Sequence, residues 1–353
     1  MKIEELLRLT IEKEASDLHL SVGIPPSLRI DGNLVFTGLP SLTQKICKEL
    51  CYSLLSEEQK NRFEKSKELD FSYGIPGLGR FRVNLSYQRD SIGAAFRPIS
   101  GEIPDFKELG LPIEIMEKFS SLHRGFILVT GPTGDGKSTT LASMVKYISE
   151  HRRCHIVSIE DPIEYLFKHK KSIINQRELG GDTLSFAGAL KHVLRQDPDV
   201  VLVGEMRDLE TVASALTVAE TGHLVLSTLH CGEAVESINR IIDIFPANQQ
   251  RQVKVQLSLT LSGVIAQQLL PQASGKGRVL ATEIMIINPA IRNLIRENRP
   301  GEIYSQIQTG TKIGMKTMNQ SLLELYRNKE ITLETAINRS PNPDELERLI
   351  ETK

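Results

Sequence analysis

Residues Gly131-Pro132-Thr133-Gly134-Asp135-Gly136-Lys137-Ser138 fit the pattern G-x-x-x-x-G-K-[ST] and follow the apolar run Phe126-Ile127-Leu128-Val129, which reads as a buried strand. Leu141, Met144, Val145 and Ile148 then recur at i, i+3, i+4 and i+7, the apolar stripe of a helix. A glycine-rich bend between a strand and a helix points successive N–H groups at one spot, beside the positive end of the helix dipole. The chain is thereby expected to fold around a nucleoside triphosphate site. Gly131, Pro132, Thr133, Gly134, Asp135, Gly136, Lys137, Ser138 and Thr139 form its binding set, with Lys137 neutralising the outer phosphates and Ser138 giving a hydroxyl to Mg²⁺.

With 353 residues, 40% of them hydrophobic and 25% charged, the chain has room for about two domains, each with its own core. A formal net charge of −1 gives no global attraction to nucleic acid or anionic membranes. Glu4, Glu5, Glu12 and Glu14 near the start do not suit a secretory signal, and no apolar run approaches a membrane span, so a cytoplasmic location is expected. Four cysteines, at 47, 51, 154 and 231, include no C-x-x-C pair. Cys47 and Cys51 share a helical stripe with Ile46, Leu50, Leu54 and Leu55, so a buried apolar role is favoured over zinc.

The first hundred residues mix helical and strand signals, as an α+β domain does. Ile3, Leu6, Leu7 and Ile11 make one helix face, Leu28 to Val35 around Asp31-Gly32 reads as a hairpin, and Gln44 to Leu55 as a second helix. From Arg80 to Tyr87 the alternation is strict, which puts Arg80 and Arg82 on the face opposite Phe81, Val83 and Leu85. Pro98, Gly101, Pro104, Gly110 and Pro112 mark a linker, so the domains are placed at 1–98 and 113–353 with 99–112 between them. Beyond the linker, four strand-like runs at Gly125 to Thr130, His155 to Glu160, Val200 to Val203 and His223 to Thr228 alternate with helical segments. That rhythm predicts an α/β domain with a parallel sheet whose ligand sits at the carboxyl ends of the strands. From Pro289 onward the pattern is helical, closing on a helix capped by Asn342.

Carboxylates collect at those strand ends. Glu160, Asp161 and Glu164 end the second strand, and Glu164 is the candidate for orienting or deprotonating the attacking water. Val200 to Val203 runs into Gly204-Glu205, as a metal-supporting Walker B strand does. His223 and His230 flank the fourth strand and could sense the γ-phosphate. As bare patterns, an acidic turn, an apolar strand ending in Glu and structural histidines explain these residues equally well.

The order in which the motifs occur is more specific. The phosphate loop, Ile159-Glu160-Asp161-Pro162-Ile163-Glu164, Arg195-Gln196-Asp197-Pro198-Asp199, Gly204-Glu205-Met206-Arg207-Asp208 and the run from Thr221-Gly222-His223 to His230 resemble the Walker A, aspartate box, Walker B and histidine box of the secretion ATPase superfamily of type II secretion and type IV pili. Ala15-Ser16-Asp17-Leu18-His19, Ala290 to Arg296, Ile303-Tyr304 and Gln308-Thr309-Gly310 extend the resemblance over nearly the whole chain, which looks most like the type IV pilus retraction ATPases. The resemblance implies a PAS-like amino-terminal domain and a RecA-like ATPase domain in a homo-hexamer that binds ATP and Mg²⁺. It further implies Glu164 as catalytic carboxylate, Glu205 as Walker B acid, and Arg80, Arg82 and Arg97 reaching the phosphates. A mechanochemical ATPase for pilus retraction and twitching motility would then work at the cytoplasmic face of the inner membrane, with a pilus platform protein and a paralogous ATPase as partners. Nucleic acid is not among the implied partners. The segment Ala290 to Arg296 matches a motif that couples hydrolysis to retraction. Pilus-assembly and type II secretion motors usually add a four-cysteine zinc insertion, whereas only Cys154 and Cys231 follow the linker here. Two positions depart from the family pattern, Asp135 for the usual Ser and Cys231 for the usual Thr. Asp135 puts a negative charge beside the triphosphate, which favours weaker nucleotide affinity and keeps a weakly hydrolysing accessory paralogue as the alternative.

Overall fold

A computed structural model describes residues 1–99 and 101–351; Ser100 of the expected linker and the last two residues of the carboxyl-terminal part lie outside it. The chain forms two compact units, one of Met1–Glu102 with Pro162–Leu166, the other of Ile103–Asp161 with the described residues from Phe167 onward.

The first unit contains α1 (Ile3–Glu12), β1 (Asp17–Leu20), β2 (Ser27–Ile30), β3 (Asn33–Phe36), α2 (Gln44–Tyr52), α3 (Glu57–Ser66), β4 (Glu68–Ile75), β5 (Gly79–Gln88) and β6 (Ser91–Ile99). Its strands form an antiparallel sheet in the order β3-β2-β1-β6-β5-β4. Asp31 (φ 48°) and Gly32 (φ 81°) both take left-handed conformations, so β2 and β3 close as a two-residue hairpin. Along β5, Phe81, Val83 and Leu85 are buried and Arg82 and Asn84 exposed, so the strict alternation in sequence has a one-sided core as its cause. Two details depart from the stripes read in sequence. Thr10, whose hydroxyl donates to Leu6 O, takes the buried place in α1 expected of Ile11, and Ile46 of α2 faces out. Cys47 and Cys51 are buried free thiols; Cys47 Sγ donates to Ile92 O, and the hydrogen bond with Cys47, then burial, push the Cys51 thiol up.

The second unit begins within the stretch read as linker, since Phe106 and Leu111 are buried in its core. It runs through α4 (Ile113–Ser120), β7 (Gly125–Thr130), α5 (Lys137–His151), β8 (His155–Glu160), β9 (Ile173–Glu178), α6 (Phe186–Val193), β10 (Val200–Val203), α7 (Leu209–Glu220) and β11 (Leu224–Leu229). There follow α8 (Ala234–Asp243), α9 (Ala247–Thr260), β12 (Leu261–Pro271), β13 (Arg278–Ile286), α10 (Pro289–Arg296), α11 (Ile303–Thr309), α12 (Met318–Arg327), α13 (Leu333–Arg339) and α14 (Pro343–Glu351). The sheet order is β13-β12-β7-β11-β10-β8-β9, parallel except for the β12–β13 hairpin. Every residue of β7, β10 and β11 is buried, as helices on both faces require. Helices α12 to α14 cover part of the hairpin through a separate small core of Leu270, Ala281, Met318, Leu322 and Leu346.

Candidate functional site

At the carboxyl end of β7 the backbone turns into α5 through Gly131 (φ 147°), Gly134 (φ 89°) and Gly136 (φ 79°). A Cβ on Gly131 would lie 2.5 Å from Gln267 O of β12, so only glycine lets the loop pass against the neighbouring strand. Lys137 opens α5, is buried, and donates from Nζ to Gly131 O (2.8 Å) and Pro132 O (2.7 Å). The ammonium is thus folded over the loop, while Ser138 follows it on the first helical turn, half-buried.

The register of β7, β11 and β10 aligns their ends. Val129 pairs with Thr228 and Ser227 with Val203, and the hydroxyls of Ser227 and Thr228 donate to Val203 O (2.8 Å) and Gly204 O (2.6 Å). Glu205 and His230 consequently emerge side by side. His230 Nε2 lies 3.8 Å from Glu205 Oε2, and its Nδ1 lies 3.4 Å from Lys137 Nζ. Burial, and then the Lys137 charge, hold the imidazole below its ordinary pKa. Neutral His230 therefore accepts from Lys137 at Nδ1 and carries its proton on Nε2, toward Glu205. Glu205 Oε2 also accepts from Arg207 Nε at 2.8 Å. His223 is different. It precedes β11, at the opposite end of the strand, and its Nδ1 meets Val218 O and Thr221 Oγ1, both at 3.1 Å. Six strand residues span about 20 Å, so His223 does not join His230 at the phosphate edge.

The three acidic residues that end and follow β8 differ in their surroundings. Glu160 is buried and accepts from Ser158 Oγ (2.6 Å) and Gln176 Nε2 (3.2 Å), which ties β8 to β9. Asp161 is exposed on the second unit, and Glu164 is exposed within the segment Pro162–Leu166 of the first unit.

On that first unit the three arginines occupy adjoining strands. Arg82 pairs in register with Arg97, and Arg80 lies two residues before Arg82 on the same face. Arg80 Nε donates to Ser72 Oγ at 2.9 Å. Arg97 makes a forked contact to Asp17 Oδ1, from Nε at 2.9 Å and Nη2 at 2.8 Å, yet its side chain stays 67% exposed. Sequence reasoning had no role for Asp17, which lies 80 positions from Arg97. The signal was the fragment Ala15 to His19, whose one carboxylate sits on the strand beside β6. Asp135 likewise has a partner no local pattern reveals, since its Oδ1 accepts from Leu269 N of β12 at 3.3 Å.

Fold and site together define a RecA-like P-loop ATPase with an α+β amino-terminal domain. The comparisons with known proteins agree with that class. The type II/IV secretion system protein family model matches residues 96–336, and the chain belongs to this family. It is 47% identical over 344 residues to the type IV pilus retraction ATPase PilT of Pseudomonas aeruginosa, covering 98% of this chain and 99% of the relative. It is 41% identical over 350 residues to the type IV pilus ATPase PilU of the same organism, covering 99% and 91%. Among solved structures, that of the pilus retraction motor PilT with bound ADP matches with a TM-score of 0.92 and 55% identity over 99% of both chains.

Proposed function

We propose that this protein is the ATPase motor of type IV pilus retraction, acting as a homo-hexamer at the cytoplasmic face of the inner membrane against a pilus platform protein. The observation that carries the reading is the 47% identity to PilT across 98% of the chain. Identity to the type IV pilus ATPase PilU is lower, at 41%, so the retraction ATPase is the better match of the two. The residues suit Mg·ATP. The glycine bend would turn loop N–H groups toward phosphate oxygens, Lys137 supplies a cation beside the loop, and Ser138 would give Mg²⁺ its hydroxyl with Glu205 acting through water. Magnesium in such a site neutralises phosphate charge and is held largely by the nucleotide itself, so no preformed carboxylate cage is required.

In this reading Glu164 orients the attacking water and accepts its proton, and His230, poised between Lys137 and Glu205, reports the state of the γ-phosphate. Arg80, Arg82 and Arg97 stabilise charge on the transferring phosphoryl group, with Asp17 holding Arg97 in place. The test is complementation of a type IV-piliated bacterium whose own retraction ATPase has been deleted. The wild-type chain should restore twitching and Lys137→Ala should not. A wild-type protein that hydrolyses ATP yet restores no retraction would overturn the pilus assignment while leaving the ATPase standing.

A further inference from the structure

Opposite the nucleotide edge, at the amino ends of β7, β8 and β9, the second unit gathers exposed positive charge from three separate connections. Arg124 immediately precedes β7, Arg153 lies between α5 and β8, and Lys168, Lys170 and Lys171 stand in the connection from β8 to β9. Hydrogen bonds to backbone carbonyls bind these connections into one surface. Arg152 Nη1 donates to Leu122 O (2.7 Å) and Ser120 O (3.2 Å), Ser172 Oγ to Arg152 O (2.7 Å), Lys171 N to Ser149 O (2.9 Å), and Ile173 N to Cys154 O (3.0 Å). None of the five cations forms an ion pair with a carboxylate among the described residues. Glu150, half-buried, Asp199, which accepts from His155 N, and exposed Asp197, whose backbone carbonyl lies 3.1 Å from His155 Nδ1, are carboxylates nearby in the fold. Five exposed cations against these three carboxylates leave a net positive surface on a chain of net charge −1.

Ile173, next to the lysine tract and 61% exposed, gives the surface an apolar point among its cations. We propose that this amino-edge surface is an electrostatic contact for anionic phospholipid, with Lys168, Lys170, Lys171, Arg124 and Arg153 meeting headgroup phosphates and Ile173 entering the interfacial layer. Lysines beside a free edge strand also discourage edge-to-edge pairing, and β9 is such an edge. Edge protection leaves Arg124 and Arg153 without a role, since they lie on other connections. A nucleic acid or an acidic peptide would use the charges but gains nothing from an isolated exposed isoleucine, whereas a bilayer uses both. Contact here leaves the carboxyl edge, with Lys137, Glu205 and His230, free on the far side of the sheet. The inference deepens the membrane-side placement proposed above, and it is judged by lipid binding alone, apart from the pilus reading.

The experiment is co-sedimentation of the full-length protein with vesicles of phosphatidylethanolamine and phosphatidylglycerol, against vesicles of phosphatidylcholine, at low and high salt. Wild type should partition to the anionic vesicles only, and high salt should release it. Replacing Lys168, Lys170 and Lys171 together by Gln should lower partitioning on the order of a hundredfold, at about fivefold per lysine. Ile173→Ser should weaken it further, and ATP turnover in solution should be unchanged in both variants, which reports an intact fold. Equal partitioning of wild type and the triple variant, no preference for phosphatidylglycerol, or capture by polyglutamate in place of vesicles would each overturn the proposal.

Discussion

Asp135 places a negative charge in a loop whose task is to attract phosphates, and Leu269 N–H, at 3.3 Å, holds that carboxylate against β12. The bond tethers the loop to its neighbouring strand at a cost in electrostatics. At about 8 Å and an effective dielectric near 20, one charge opposes another by roughly 2 kcal/mol, and a half-exposed carboxylate is screened below that. Asp135→Ser is therefore expected to lower the Kd for Mg·ATP by about three- to tenfold in a calorimetric titration, and an unchanged or raised Kd would show that the tether matters more than the charge. Residues of this kind divide the legible from the illegible. The placement of Lys137, Ser138 and Glu205 at strand ends was readable because each follows a buried strand in contiguous sequence. Asp17 under Arg97 and Leu269 beside Asp135 were not, because each pairing is made by sheet register between distant segments.

Among the elements, β7, β8, β10 and β11 announced themselves as short, mostly apolar runs, as central parallel strands do. The other three strands of the sheet were harder to see for identifiable reasons. β9 lies at the edge and four of its six residues are polar, while β12 begins at Leu261 directly after α9 ends at Thr260, with no glycine or proline at the junction. β13 carries Glu283 in its middle, a buried carboxyl that accepts from Ala234 N (2.7 Å) and Met318 N (3.4 Å) and so joins the first turns of α8 and α12. Burial pushes its pKa up to about 7 despite those two donors. Because the folded value lies above the unfolded one, its proton-linked stabilisation is full below the ordinary carboxylate range and is lost as pH rises through about 7. The amount is on the order of 3 kcal/mol. The stability of wild type relative to Glu283→Gln should thus fall between mildly acidic and mildly alkaline pH in denaturant titrations. A difference that stays constant with pH would contradict a buried titrating Glu283.

For the whole molecule, the proposed chemistry divides between binding and hydrolysis. In that proposal the phosphate loop and Lys137 hold the nucleotide, whereas Glu164 only aims and deprotonates water, so the two functions should be separable by substitution. General-base assistance contributes about 10²–10⁴-fold to rate and little to ground-state binding. The central claim is tested most directly by steady-state phosphate release from purified wild type and Glu164→Gln, read together with native mass and nucleotide affinity. The account predicts activity in the six-subunit species, with Glu164→Gln forming the same species, binding Mg·ATP as tightly, and turning over at least about a hundredfold more slowly. Phosphate release by Glu164→Gln at the wild-type rate would contradict it.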